Sequence, residues 1–277
     1  MTGNKEQKER LDYLLEEFKK DSSYYKDLET LDSYEEKRMA LRSLMNIRMP
    51  RFMQESVVKV QDEFLTEEAK EKGIVSLDEI PAIDEQYGSR HPFADKISIW
   101  QGDITRLKVG AIVNAANSQM LGCFVPCHRC IDNAIHSAAG IQLREECDQY
   151  MNRRKIQYGS RYEEPTGRAV LTKGYNLPAE YVIHTVGPIV GGTLNNIHRQ
   201  DLHDCYENVL KCCVENKIRS VAFCCISTGE FHFPGKEAAK IAVETVTDFL
   251  KSNETEFDRI IFNVFKDTDR ILYEKEI

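Results

Sequence analysis

The chain has 277 residues, 42% of them hydrophobic and 30% charged, a length that suits one large domain or a domain with a substantial extension. Its net charge of -8, with no basic stripe, argues against a non-specific nucleic-acid binder, and no apolar run approaches the ~20 residues that cross a bilayer. Nine cysteines, among them the adjacent pairs Cys212-Cys213 and Cys224-Cys225, fit reduced thiols and a metal site better than a disulfide scaffold.

The opening stretch "MTGNKEQKERLDYLLEEF" has no apolar signal core, so the expected compartment is the cytoplasm. Within it Leu11, Leu14, Leu15 and Phe18 fall at helical spacing and form one apolar stripe. "SYEEKRMALRSLMNIR" repeats the pattern with Met39, Leu41, Leu44, Met45 and Ile47, and Pro50 closes it. "ESVVKVQDEFLTEEAKEKG" reads as a third helix ending at Gly73. Residues 1–73 are therefore expected to be a helical extension, and residues 74–95, punctuated by Pro and Gly, a connector. Residues 1–95 hold 15 Lys and Arg against 22 Asp and Glu, so nearly all the acidity sits here. Nothing in them carries recognisable chemistry, and packing or partner binding is the expected role.

From Lys96 the texture changes. The short apolar runs "KISIWQGDI", "AIVNAAN", "RAVLTKGY", "YVIHTVG", "SVAFCCIS" and "RIIFNVF" read as buried strands. Helical stretches lie between and after them: "CIDNAIHSAAGIQLREECDQY", "DLHDCYENVLKCCVENK", "KEAAKIAVETVTDFLKSN" and "DRILYEKEI". This alternation implies an α/β sandwich over residues 96–277, with ligands gathered at the carboxyl ends of the strands.

Three loops sit at such ends. The two glycines of "STGEFHFPGKEAA" precede a helix, so its amides could cradle a diphosphate, although many strand-to-helix turns look alike. Asp103 in "GDIT" could accept a hydrogen bond from an adenine amino group or cap a short helix. The asparagines of "NAANS" could bind sugar hydroxyls or satisfy a turn.

A fourth loop, "LGCFVPCHRCIDNAIH", puts three cysteines and two histidines within fourteen positions. Cys123, His128 and Cys130 can offer zinc three soft ligands and leave a fourth position open, as catalytic sites do. Cys127 would close the site as a structural one. Its adjacency to His128 and the lack of a distant clasp count against that. "VPCHRC" also holds half of a zinc deaminase signature, but that chemistry needs an upstream H-x-E, and His91 in "HPF" has no Glu two residues on. Of the other histidines, His136 is close enough to support the loop and His184 reads as a core residue of a buried strand. His232 lies on the glycine-bearing loop, and His198 and His203 look like surface positions.

Taken together, "WQGDITRLKVGAIVNAANSQMLG", "IDNAIHSAAG", "TGRAVLTKGYNLPAEYVIHTVGP" and "ISTGEFHFPGKEAA" strongly resemble the macrodomain, the ADP-ribose-binding fold, over roughly residues 96–277. The resemblance is most specific to the branch that removes ADP-ribose from proteins. It implies a three-layer α/β/α domain with a mixed central sheet. Asp103 would hold the adenine amino group with Ile104 alongside, and Asn117 would sit by the distal ribose. The amides of Ser227, Thr228, Gly229, Glu230 and Phe231 would cradle the phosphates, with the Phe231 ring against the distal ribose. Phe265 falls where an aromatic stacks on adenine, the alternative being a core phenylalanine. Asp132 matches the carboxylate placed near the anomeric carbon, as general base or water-positioning group, the alternative being a helix-start residue.

Ordinary macrodomain hydrolases have a short run of glycines where this chain has the longer "GCFVPCHRCIDN". That looks like the zinc-containing macrodomains, a microbial subgroup that also has a helical N-terminal extension. The subgroup implies Zn2+ on Cys123, His128 and Cys130, and not on Cys127. It also implies hydrolysis of the bond joining ADP-ribose to a mono-ADP-ribosylated protein, most plausibly an ester of an acidic residue. A non-catalytic reader of ADP-ribose and a hydrolase of O-acetyl-ADP-ribose are the alternatives.

Overall fold

The computed structural model describes residues 4–29 and 32–277; the first three residues of the expected extension, and Thr30 and Leu31 within it, lie outside them. The extension is built from α1 (Lys5–Asp21), α2 (Tyr34–Ile47) and α3 (Glu55–Glu71). The Asn4 side chain accepts the Gln7 amide at 2.9 Å to start α1, and Ser33 accepts the Glu36 amide at 3.3 Å to start α2. Their stripes meet in a separate apolar cluster of Leu11, Leu14, Phe18, Leu41, Leu44 and Phe64, which Ile141 of the following domain completes. Burying each such side chain contributes about 1.5–3 kcal/mol. Met39, counted in the second stripe from sequence, stands 59% exposed. It precedes Leu41 by two residues, roughly 200° of helical turn, and so faces the other way. The cluster's polar edge is closed by a bidentate pair, Arg38 Nε to Glu68 Oε1 at 2.6 Å and Nη2 to Oε2 at 2.9 Å.

Residues 74–95 contain regular structure: β1 (Val75–Ser76) and a short helix α4 (Ile83–Tyr87), with Ile80 and Ile83 buried in the main core. The chain continues through β2 (Ile97–Gln101), β3 (Leu107–Lys108) and β4 (Ala111–Ala116) into α5 (Ile131–Ala139) and α6 (Ile141–Tyr158). Then follow β5 (Ala169–Lys173), β6 (Tyr181–Val186), α7 (Asn196–Glu215), β7 (Ser220–Phe223), α8 (Gly235–Asn253), β8 (Arg259–Val264) and α9 (Asp267–Glu274). The stretch expected as one helix after Cys130 is two. Gly140 breaks it with a φ of +96°, which a side chain would strain.

The six expected strands form one sheet in the order β2-β8-β7-β4-β6-β5, every neighbour parallel except the β5–β6 pair. β1 and β3 make a separate two-stranded parallel ladder, so residues 74–95 are stitched to the domain that follows. Helices α7, α8 and α9 pack on one another as one layer, while α5 and α6 belong to the other. This is the three-layer α/β/α fold with a mixed sheet. The extension docks on the α5 layer through α2 and α3. Among the described residues, no helix is long and apolar enough to cross a membrane.

Candidate active site

β4 and β6 run parallel in a register that pairs Asn114 with His184, both fully buried. A directed hydrogen-bond chain results. Thr172 Oγ1 lies 2.9 Å from His184 Nε2, Asn114 Nδ2 lies 3.1 Å from His184 Nδ1, and the same amide donates to Asp132 Oδ1 at 2.8 Å. Burial lowers the His184 ring to about 3, so it is neutral, with Nδ1 accepting from the amide and Nε2 facing the threonine hydroxyl. Asn117, just past the end of β4, donates to Asp132 Oδ2 at 3.4 Å and to the Gly122 carbonyl at 3.2 Å. Asp132 sits in the first turn of α5 and is 5% exposed. Burial raises its carboxyl to about 6, against the opposing pull of the Asn114 hydrogen bond and the Arg144 charge. Such a group is a carboxylate at neutral pH yet basic enough to take a proton. His136, one helical turn on, puts Nε2 at 3.5 Å from Asp132 Oδ1, and burial keeps its ring neutral.

Two residues before Asp132 lies Cys130, the N-cap of α5, whose Sγ accepts the Asn133 amide at 3.4 Å. Its thiol gathers with Cys123 and His128, the three ligand atoms lying within 4.8 Å of one another. Cys123 Sγ is 3.6 Å from His128 Nδ1, about the separation of two ligands on a tetrahedral zinc with bonds of roughly 2.3 and 2.0 Å. Burial first, and then the neighbouring Cys123 and Asp132, push the Cys130 thiol up to about 12, and two sulfurs beside an imidazole are the soft donors that zinc takes. The donor set fits zinc on geometry and on chemistry. Cys127 is not in it: its Sγ lies against Ser43 Oγ at 3.3 Å and the Met39 carbonyl at 3.5 Å, towards α2. Local adjacency to His128 thus leaves Cys127 on the other side of the loop.

The other ring nitrogen of His128, Nε2, faces Glu230 Oε1 at 3.8 Å, so this loop abuts the glycine-bearing loop after β7. That loop is folded by its own backbone: Phe233 N donates to Ser227 O at 2.9 Å and His232 N to Gly229 O at 3.1 Å. Thr228 Oγ1 donates to Cys225 O at 3.0 Å. Ser227 and His232 have φ of 63° and 57°, a left-handed bend at each end. Among the described residues, the amides of Ser227, Gly229, Glu230 and Phe231 have no hydrogen-bond partner, so they are free to bind an anion. The Phe231 ring is half-buried, and its carbonyl accepts Val190 N at 2.9 Å. Gly187 packs so closely here that a Cβ would lie 2.0 Å from Ser227 Oγ.

At the opposite end of the strand edge, Asp103 Oδ1 accepts from Thr105 N at 3.0 Å and Thr105 Oγ1 at 2.7 Å, capping a short 3-10 turn in which Ile104 is buried. Phe265 follows β8 and is 74% exposed, which rules out the core-phenylalanine alternative. The structure therefore brings Asn117, Cys123, His128, Cys130, Asp132 and the 227–231 loop together, with Asp103 and Phe265 at strand ends along the same rim.

The family profile of the Macro domain matches residues 113–242. The chain is 43% identical over 270 residues to a protein-ADP-ribose hydrolase of Treponema medium, covering 97% of this chain and 98% of that one. The chain belongs to the Macro domain family. A protein-ADP-ribose hydrolase of Staphylococcus aureus (strain MRSA252) is 39% identical over 272 residues, 98% of this macrodomain protein and 96% of the relative. The crystal structure of a Trypanosoma brucei macrodomain in complex with ADP-ribose superposes with a TM-score of 0.60 at 30% identity, covering 84% of this chain and 94% of that one.

Sequence reading passed over several residues that shape this macrodomain site. In the sequence Asn114 stands only as part of "NAAN", and His184 reads only as a core histidine. The loop "GPIVGG" after β6 carries the same strand-end and Gly/Pro signals as the others and could have been found by them. Arg42, Asn46 and Asn133 carried no local signal at all.

Proposed function

We propose that this ADP-ribose hydrolase of the Macro domain family is zinc-dependent and cleaves the ester joining ADP-ribose to acidic side chains of modified proteins. One observation carries the reading. The Cys123, His128 and Cys130 ligand atoms converge within 4.8 Å, two residues from Asp132 and in contact range of the phosphate-type loop. Zinc on those three residues would supply a Lewis acid beside the sugar.

The protein's own groups divide the remaining work. The free amides of Ser227, Gly229, Glu230 and Phe231 bind the diphosphate, while that of Thr228, expected among them, is taken by the Cys225 carbonyl at 3.4 Å. Asp103 receives the adenine amino group beside Ile104, and the exposed Phe265 ring stacks on the base. Binding at that distance orients the distal ribose, so affinity for the remote part of the substrate is spent on alignment. Asn117 holds the ribose, and the Phe231 ring walls it. Asp132, aimed by Asn114 and Asn117, takes the proton of the attacking water. A carboxylate leaves readily, so no dedicated acid is needed, consistent with the neutral His136 and His184 rings. All nine cysteines are free, which suits a cytoplasmic enzyme.

Metal analysis coupled to an ADP-ribose release assay tests this on wild type, Cys130→Ala and Cys127→Ala. One zinc per chain is expected in wild type and Cys127→Ala, with metal and turnover both lost in Cys130→Ala. Equal loss in both variants would mean a closed structural ion. No release at any metal content would mean a reader, and faster turnover of O-acetyl-ADP-ribose than of modified protein would move the substrate to a small ester.

A further inference from the structure

The helical extension was expected only to pack or to bind partners, yet its second helix lies directly behind the loop that carries the candidate ligands. Arg42 donates to Asn133 Oδ1 twice, from Nη2 at 2.6 Å and Nε at 3.2 Å, and Nη2 also reaches the His128 carbonyl at 3.3 Å. One turn on, the fully buried Asn46 accepts the Cys127 amide at 2.9 Å and donates to Ser137 Oγ at 2.9 Å. From the domain side, Arg144 Nη1 donates to the carbonyls of Met45, Asn46 and Arg48, while its Nε donates to Leu121 O at 2.7 Å. The end of α2 and the start of the loop therefore share one guanidinium, which also stacks on Phe124 at 4.3 Å.

We infer that α2 is part of the catalytic apparatus: Arg42 and Asn46 are positioning residues that hold the Cys123–Cys130 loop in its ligand-presenting shape. The argument runs through Asn133. A guanidinium has only donors, so Arg42 forces the Asn133 carbonyl oxygen towards α2 and its NH2 group towards the loop. There Nδ2 donates to the Val125 carbonyl at 3.0 Å and lies 3.5 Å from that of Cys123, while the Asn133 amide meets Cys130 Sγ. Asn133 thus touches the backbone of one ligand through its side chain and the sulfur of another through its main-chain amide, and Arg42 sets the direction of that side chain while holding the carbonyl of the third. Cys127 has a φ of 51°, a left-handed bend unfavourable for a residue with a Cβ, and the Asn46 bond to its amide keeps it there. The loop has no regular secondary structure between Leu121 and Cys130 to hold it otherwise.

The inference rests on the loop being the zinc loop, and its test separates the two. Zinc affinity is read by competition with a chromophoric chelator, and amide hydrogen exchange over residues 121–130 is read in metal-free protein. The proteins are wild type, Arg42→Met, Arg42→Lys and the control Arg38→Met. Arg38 lies on the same helix but pairs with Glu68 within the extension. Arg42→Met should weaken zinc binding about 10- to 100-fold, as loss of groups that orient metal ligands commonly does, and speed exchange in the loop. ADP-ribose affinity should hold, because the 227–233 loop is folded by its own backbone. Arg42→Lys, which keeps the charge without the fork, should fall in between and covers the case in which the methionine variant does not fold. Arg38→Met should lower the melting temperature and leave zinc affinity unchanged. Equal zinc loss in Arg38→Met and Arg42→Met, or no change in exchange in either Arg42 variant, would overturn the inference. Wild type that binds no zinc while Arg42→Met still loosens the loop would remove the metal and keep the clamp.

Discussion

The two loops that form the site are held in opposite ways. The 227–233 loop is closed by hydrogen bonds between its own residues, Phe233 to Ser227 and His232 to Gly229, and it leans on the loop after β6 through Gly187 and Val190. The 121–130 loop makes few bonds within itself and is held by Arg42, Asn46, Asn133 and Arg144, from three helices. A loop of the first kind travels with its own sequence. One of the second kind depends on residues some 80 to 90 positions away, such as Asn46 for Cys127 and Arg42 for Asn133. The difference teaches that the 121–130 loop is held from the extension as well as from the domain, although their apolar cores are separate.

The largest effect should come from the buried carboxylate that follows the 121–130 loop, held by Asn114 and Asn117. Asp132→Asn keeps the size and the hydrogen-bond reach but cannot accept a proton, so single-turnover release should fall about 10^2- to 10^4-fold. Calorimetry should find ADP-ribose affinity little changed, and a matching loss of affinity would assign Asp132 to binding instead. Next, Gly187→Ala should break the self-supporting loop, because the new Cβ meets Ser227 Oγ at 2.0 Å and Ile226 Cγ2 at 2.9 Å. Overpacking of about 1–3 kcal/mol translates into roughly tenfold or more weaker ADP-ribose binding with zinc content intact, the mirror image of the Arg42 result. His184→Leu should lower kcat several-fold with KM held, by freeing the Asn114 amide that aims Asp132, since such a hydrogen bond is worth about 1 kcal/mol.

The smallest effect is on stability and concerns the extension alone. Burial by itself would raise the Glu68 carboxyl, but the Arg38 guanidinium and then Lys72 bring it down to about 2. A carboxyl whose folded value lies below its unfolded one stabilises above the unfolded value and loses that as pH falls. Thermal melts between pH 5 and 2 should therefore show a progressive loss, on the order of 3 kcal/mol in full, that Glu68→Gln flattens. A melt with the same slope in the variant would place the acid-sensitive group elsewhere.

Much of this molecule is legible in local pattern. Leu11, Leu14, Leu15 and Phe18 announce their helix, and the six apolar runs from residue 96 are the six strands of the main sheet. The 3.6-residue period also explains the miscounted Met39, which lies on the reverse face of α2. The break at Gly140 was hidden because "AAGIQL" keeps good helix formers on both sides of the glycine. The candidate trio of Cys123, His128 and Cys130 could be proposed from the sequence because all three share one loop, which the structure gathers within 4.8 Å. Its support could not, since a side-chain contact between α2 and α5 leaves no trace in the spacing of either. The His184–Asn114–Asp132 chain was hidden for a related reason. It depends on the register of β4 against β6, which the length and composition of the two strands do not specify.

Anomalous diffraction at the zinc edge, from crystals of the full chain grown with ADP-ribose, goes most directly to the heart of the account. A single peak bonded to Cys123, His128 and Cys130, with its remaining side open to the distal ribose, is the expected result. An absent peak, or one closed by Cys127 and turned away from the nucleotide, would contradict it.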